Sequence, residues 1–174
     1  MNTTLPRDRA AKASASAQPA RTLRRLEPLA YAMLRAAFGL VMMTHGLPKV
    51  LGIGHGSMAD PLGGATRLIA EVLHLPFAPQ VAYAVGLFET LGGLLLAAGL
   101  LTRPLAALMA VQMLVICYIH RAHFAWIDRG MEYPLVLLFV ATLIAARGGD
   151  QLSMDRLLRP RSRASIPTAE QTAP

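Results

Sequence analysis

Glu89 stands alone in the run VGLFETLGGLLL, Val85 to Leu96, a carboxylate with no other charge close by in sequence. A carboxylate can hold a proton, release it, or answer a cation. The chemistry-bearing residue that suits it best is Arg35 in YAMLRAAFGLVMMTHG, because a guanidinium can grip a carboxylate through two hydrogen bonds. A second polar set lies further along the same segments. His45 and Lys49 are about one turn apart, on roughly the same side as Arg35. Gln112 sits deep in a later apolar run that ends at His120, Arg121 and His123, and Asp128, Arg129 and Glu132 introduce the last one. Together they suggest an outward-opening pocket with Arg35 and Glu89 as a charged floor and His45, Lys49, Gln112, His120 and Glu132 as its lining. Such a set offers donors to the oxygens of a small polar ring, and a group that can exchange protons with it.

Each residue also has a plainer reading. A buried Arg–Glu pair serves equally as a staple between helices, since burial of a pair is weak evidence for stability or function. Interfacial His, Lys and Arg commonly extend their polar ends to water. Other chemistries are poorly served. Metal-ligand types occur (His45, His120, His123, Glu132), but no metal site is expected from their arrangement. Two histidines on separate segments are a weak signal for haem. Cys117 is the single cysteine, which rules out a CxxC motif and an internal disulfide. Nothing resembles a phosphate loop or a nucleophile elbow.

The elements that must hold these residues are set by composition. The chain is 54% hydrophobic and only 16% charged, with a mean hydropathy of +0.43. Soluble domains carry about 25% charged residues, so this is a membrane profile. Four segments read as helical spans: Pro28 to Leu47, Ala78 to Leu101, Pro104 to Phe124 and Met131 to Ala146. A span needs about 20 residues; the fourth reaches that length only with its charged flanks in the interfaces. The runs are too long and too little alternating for strands, and in lipid a helix satisfies its own backbone. The expected fold class is therefore all-α, an integral membrane four-helix bundle. In the first outer loop, Ala65 to Leu75 is expected as a short interfacial helix, with Arg67, Glu71 and His74 on one side. Gly39 and Gly46 on the first span, and Ala82, Gly86 and Gly93 on the second, form small-residue faces suited to close packing.

Lys and Arg concentrate in the two ends of the chain, which places both termini in the cytoplasm by the positive-inside rule. His55 and Asp128 then fall in extracytoplasmic loops. The net charge of +7 reads as a topology signal with contact to membrane lipids; nucleic acid is not an expected partner. Residues 1–27 are expected as a disordered basic cytoplasmic tail, 28–158 as the four-helix transmembrane domain, and 159–174 as a disordered C-terminal tail.

Taken in order, several spaced motifs resemble the DoxX family of small four-helix membrane proteins. They are Arg35 followed by HGLPK (His45, Gly46, Lys49), ETLGG (Glu89, Gly92, Gly93) leading to GLLTR (Gly99, Thr102, Arg103), Glu132 opening the last span, and GGDQLSMD (Gly148, Gly149, Ser153, Asp155) closing it. The resemblance covers roughly Leu29 to Arg156. It implies a multi-pass protein of the bacterial inner (plasma) membrane, linked to quinone-dependent oxidoreductases, including subunits of terminal quinol oxidase and thiosulfate-oxidising systems, and to membrane-bound oxidative-stress complexes. The implied reading is a quinone-linked redox subunit or accessory protein, with other membrane or periplasmic redox proteins as partners. The alternatives are a small-solute or proton transporter, and a non-catalytic assembly scaffold. The residues name no cofactor by themselves; a quinone is what the resemblance implies.

Overall fold

The computed structural model describes residues 6–54, 56 and 58–158, with side chains from residue 24 onward. Its elements are helical: α1 (Pro6–Leu51), α2 (Pro61–Glu71), α3 (Ala78–Ala98), α4 (Thr102–Ile119), α5 (Glu132–Arg147) and a short α6 (Met154–Leu158). Among the described residues there is no β-strand. Among the described residues, three helices are long and apolar enough to cross a membrane: Arg24–Leu51, Ala78–Ala98 and Thr102–Ile119. The 16-residue α5 is about 24 Å long at 1.5 Å per residue, short of a hydrocarbon core of about 30 Å.

The helix ends differ from the sequence expectation for identifiable reasons. The first helix does not begin at Pro28; its backbone is helical from Pro6, across residues expected as a disordered tail. Arg21 to Glu27 is rich in good helix formers, and the helix runs through the proline. Helix α3 stops at Ala98 rather than Leu101. Gly99 takes φ +76°, and the N–H groups of Gly99 and Leu100 donate to Leu96 and Leu95 at 3.0 and 2.9 Å, the paired closure of a glycine-terminated helix. Helix α4 is Thr102–Ile119 rather than Pro104–Phe124. The connector helix is Pro61–Glu71 rather than Ala65–Leu75: Asp60 accepts from Gly63 N at 2.8 Å and Pro61 opens the first turn. An Asp cap with proline behind it starts a helix despite the low helix propensity of Gly63 and Gly64. Its Ile69 packs with Ala78 and Ala82 of α3. His55 and the expected C-terminal tail, 159–174, lie outside the described residues.

The packing fixes the register of α1 against α3. In lipid, helices gain little from apolar burial and are held by close packing. A Cβ on Gly39 would run into Gly93 O and lie 2.7 Å from Ala97 N; one on Gly46 would lie 2.6 Å from Glu89 Cβ and from Thr90 N. The expected small-residue faces therefore meet, backbone to backbone. The main core joins Tyr31, Phe38 and Met42 of α1 to Leu96 of α3, Met109 and Met113 of α4, and Ile144 of α5. Antiparallel contact at these two levels puts Gly99 beside Arg35, and Glu89 about one turn below Lys49.

Candidate functional site

At Glu89 the regular helix is interrupted. Phe88–Gly92 forms a π-helical turn inside α3, a local widening often found at functional positions. Glu89 is 2% exposed, and both its carboxylate oxygens are taken. Lys49 Nζ donates to Oε2 at 2.5 Å. Gln112 Nε2 donates to Oε1 at 2.6 Å. Three helices thus converge on one carboxylate.

The local sequence explains the fit. Side chains on a helix lean toward its N-terminus, so Lys49, near the end of α1, reaches back a turn to Glu89. Gly86 leaves room for its stem, since a Cβ there would sit 3.0 Å from Lys49 Cβ. Gly46 lets α1 come close enough for the amine to meet the carboxylate. The Gln112 amide is oriented by chemistry: its nitrogen faces Glu89, because its oxygen would repel a carboxylate. That orientation leaves Gln112 Oε1 buried with no hydrogen-bond partner among the described residues, and buried acceptors are rarely left so.

Arg35 does not pair with Glu89. Its Nη1 donates to Gly149 O at 2.5 Å and its Nη2 to Leu152 O at 2.7 Å. The sequence expectation sets Arg35 about seven residues into a span starting at Pro28. The register set by Gly39 and Gly46 instead aligns Arg35 with Gly99, about 15 Å along the axis from Glu89 at 1.5 Å per residue. Arg35 is a peg for the segment after α5. Around it, Tyr31 Oη donates to Gly148 O at 2.6 Å, Arg147 lies 4.3 Å from the Tyr31 ring centroid, and Asp155 accepts from Leu101 N and Thr102 N at 2.8 and 2.9 Å. Asp155 is thereby the cap of α4, a role that sequence spacing does not reveal because it lies over fifty residues away. Gly99 and Gly148 make the clasp close: a Cβ on the first would be 2.8 Å from Arg35 Cζ, and one on the second 2.7 Å from Arg103 Nε.

The remaining expected residues are dispersed. His45 is exposed. His120 caps the end of α4, eight residues beyond Gln112 and so about 12 Å further along the helix. Glu132 Oε2 accepts from Trp126 N at 3.1 Å and closes the loop between α4 and α5. Arg121 donates to Tyr118 O at 2.8 Å and lies over the Tyr118 ring. Of the expected lining, Lys49 and Gln112 therefore gather at Glu89, while His120 and Glu132 serve the connection between α4 and α5. Among the described residues, no three His, Cys, Asp or Glu side chains stand close enough to hold a metal ion.

A family model described as DoxX matches residues 30–122, more than half of the chain. That range holds Arg35, Lys49, Glu89 and Gln112 but not the Gly148–Asp155 segment. No curated protein and no solved structure matches.

Proposed function

The chain belongs to the DoxX family, and on that premise we propose that it is a quinone-linked redox subunit or accessory protein of the bacterial inner membrane, with Lys49, Glu89 and Gln112 as its headgroup and proton-handling centre. In this reading α5 is the fourth span, lengthened by its flanks, both termini are cytoplasmic, and α2 lies at the outer interface. The Lys/Arg distribution supports that orientation, and the burial of Ile69 against α3 supports a connector laid on the bundle.

One observation carries the chemistry: a carboxylate near the middle of its span, saturated by an amine and an amide, whose amide oxygen has no donor among the described residues. A quinol hydroxyl is a donor of the kind that oxygen lacks, so the residues fit the group. A bound quinone supplies two-electron, two-proton chemistry. The chain's own part is electrostatic. Lys49 holds a positive charge against Glu89, Gln112 fixes the direction of one carboxylate oxygen, and Glu89 accepts or returns a proton at the other. The apolar walls around Glu89 exclude bulk water and strengthen each of these interactions.

The test is gentle detergent purification of the full chain, organic extraction, and mass spectrometry of quinones. Quinone retained by the native protein and lost from Glu89→Gln supports the reading; none retained, with no thermal stabilisation on adding quinone, removes it. Proton passage is the second reading, favoured by the depth of Glu89. Glu89-dependent acidification of proteoliposomes without added quinone would select it.

A further inference from the structure

At the end of the bundle where Arg35 pegs the chain, two recesses adjoin. One, of about 350 Å³, is lined by Arg103, Arg147 and Arg156, with Asp150 and Asp155 beside them. The other, of about 410 Å³, shares Arg103 and Asp155 but is otherwise mostly apolar, with Leu100, Leu101, Pro104 and Leu158. Together they form a cationic cup joined to an oily one through a single arginine.

The acidic groups at the cationic recess already have donors. Asp150 is bound by Arg147 at 2.9 Å, and the Asp155 carboxylate accepts from the N–H groups of Leu101 and Thr102. The guanidinium groups of Arg103 and Arg156 have no hydrogen bond or ion pair among the described residues. Arg103 lies across Gly148, whose φ of +80° and missing side chain leave it room. Two uncommitted arginines beside a third favour an anion with several acceptor oxygens, for which phosphate is the fitting chemistry.

The apolar recess decides the carrier. Free phosphate has no use for Leu101 and Leu158, which are 55% and 67% exposed. These recesses also lie where the candidate spans Ala78–Ala98 and Thr102–Ile119 meet, the level at which headgroups begin. We propose that Arg103 and Arg156 bind the phosphodiester headgroup of an anionic phospholipid, with its glycerol and upper acyl chain against Leu101 and Leu158. This lipid locks the Gly148–Asp155 segment onto the bundle, and the site is independent of the chemistry at Glu89.

The experiment is native mass spectrometry of the full-length protein released from nanodiscs of phosphatidylcholine containing a minor fraction of phosphatidylglycerol. The native chain should retain phosphatidylglycerol selectively. Arg103→Gln with Arg156→Gln should weaken that retention about 30-fold, from the loss of two cation–headgroup contacts, while the paired Lys substitutions keep it. Arg24→Gln with Arg25→Gln removes equal charge elsewhere and should leave retention unchanged. Leu158→Asp should weaken lipid binding. Equal weakening by the Arg24/Arg25 pair would overturn the site in favour of diffuse attraction. Displacement of the lipid by inorganic phosphate at constant ionic strength would overturn the lipid assignment in favour of a free-anion site.

Discussion

Replacing Lys49 by Met and Glu89 by Gln, singly and together, measures the strength of the buried centre. Lys49→Met leaves a carboxylate that is 2% exposed without its cation. Removing one partner of a buried pair costs about 3–5 kcal/mol. Glu89→Gln should cost less, about 2–4 kcal/mol, because the Lys49 side chain is 16% exposed and can turn its amine toward water. In the double variant neither charge remains, and the amide introduced at position 89 can still bond Gln112. Its cost should fall below the sum of the single changes by about 2–3 kcal/mol, the coupling expected for residues in direct contact. The assay is reversible unfolding in mixed micelles, run as a double-mutant cycle. A parallel cycle pairs Arg35→Met with Glu89→Gln. Arg35 holds Gly149 O and Leu152 O instead, so those two changes should add within about 0.5 kcal/mol. Coupling in the Arg35 cycle and none in the Lys49 cycle would refute the register on which the site depends.

Gly46→Ala should cost about 1–3 kcal/mol, because its Cβ would lie 2.6 Å from Glu89 Cβ; Gly64→Ala, with nothing within 4 Å, is the control for the same unfolding assay. Asp155→Ala removes the acceptor of Leu101 N and Thr102 N and should cost about 0.5–2 kcal/mol, read as faster hydrogen exchange in the first turn of α4; unchanged exchange there would show that the cap contributes nothing. For topology, a cysteine replacing Asp128 should react with an impermeant maleimide in intact spheroplasts, and one replacing Leu157 only after lysis. The reverse pattern would invert the orientation, and Cys117, buried in α4, should stay silent in both.

The long apolar runs are legible because length and absence of charge are properties of the sequence alone. So are the small-residue faces: Gly39, Gly46, Gly86 and Gly93 do meet the opposing helix. Glu89 stands out because an isolated carboxylate in an apolar run is costly, about 2.5–3.5 kcal/mol on insertion scales. Its partner does not stand out. Counting depth from Pro28 sets Arg35 too deep, because the Gly39 and Gly46 contacts, not the start of the apolar run, set the register and bring Arg35 beside Gly99. Lys49 looks interfacial because its Cα is near the helix end, yet its side chain spans a full turn inward. The π turn at Phe88–Gly92 leaves no periodic signature in so uniform an apolar run. The motif residues Arg35, Gly99, Gly148 and Asp155 are visible as a set, but their assembly into one clasp depends on contacts between the two ends of the chain.

Infrared difference spectroscopy of the purified full chain, recorded as added quinone is reduced and reoxidised, reads whether Glu89 exchanges a proton with the redox event while held by Lys49 and Gln112. A carboxyl C=O band should appear with reduction, shift in heavy water, and be missing in Glu89→Gln. A native spectrum without a carboxyl band, or a band that survives in Glu89→Gln, would contradict proton exchange at Glu89.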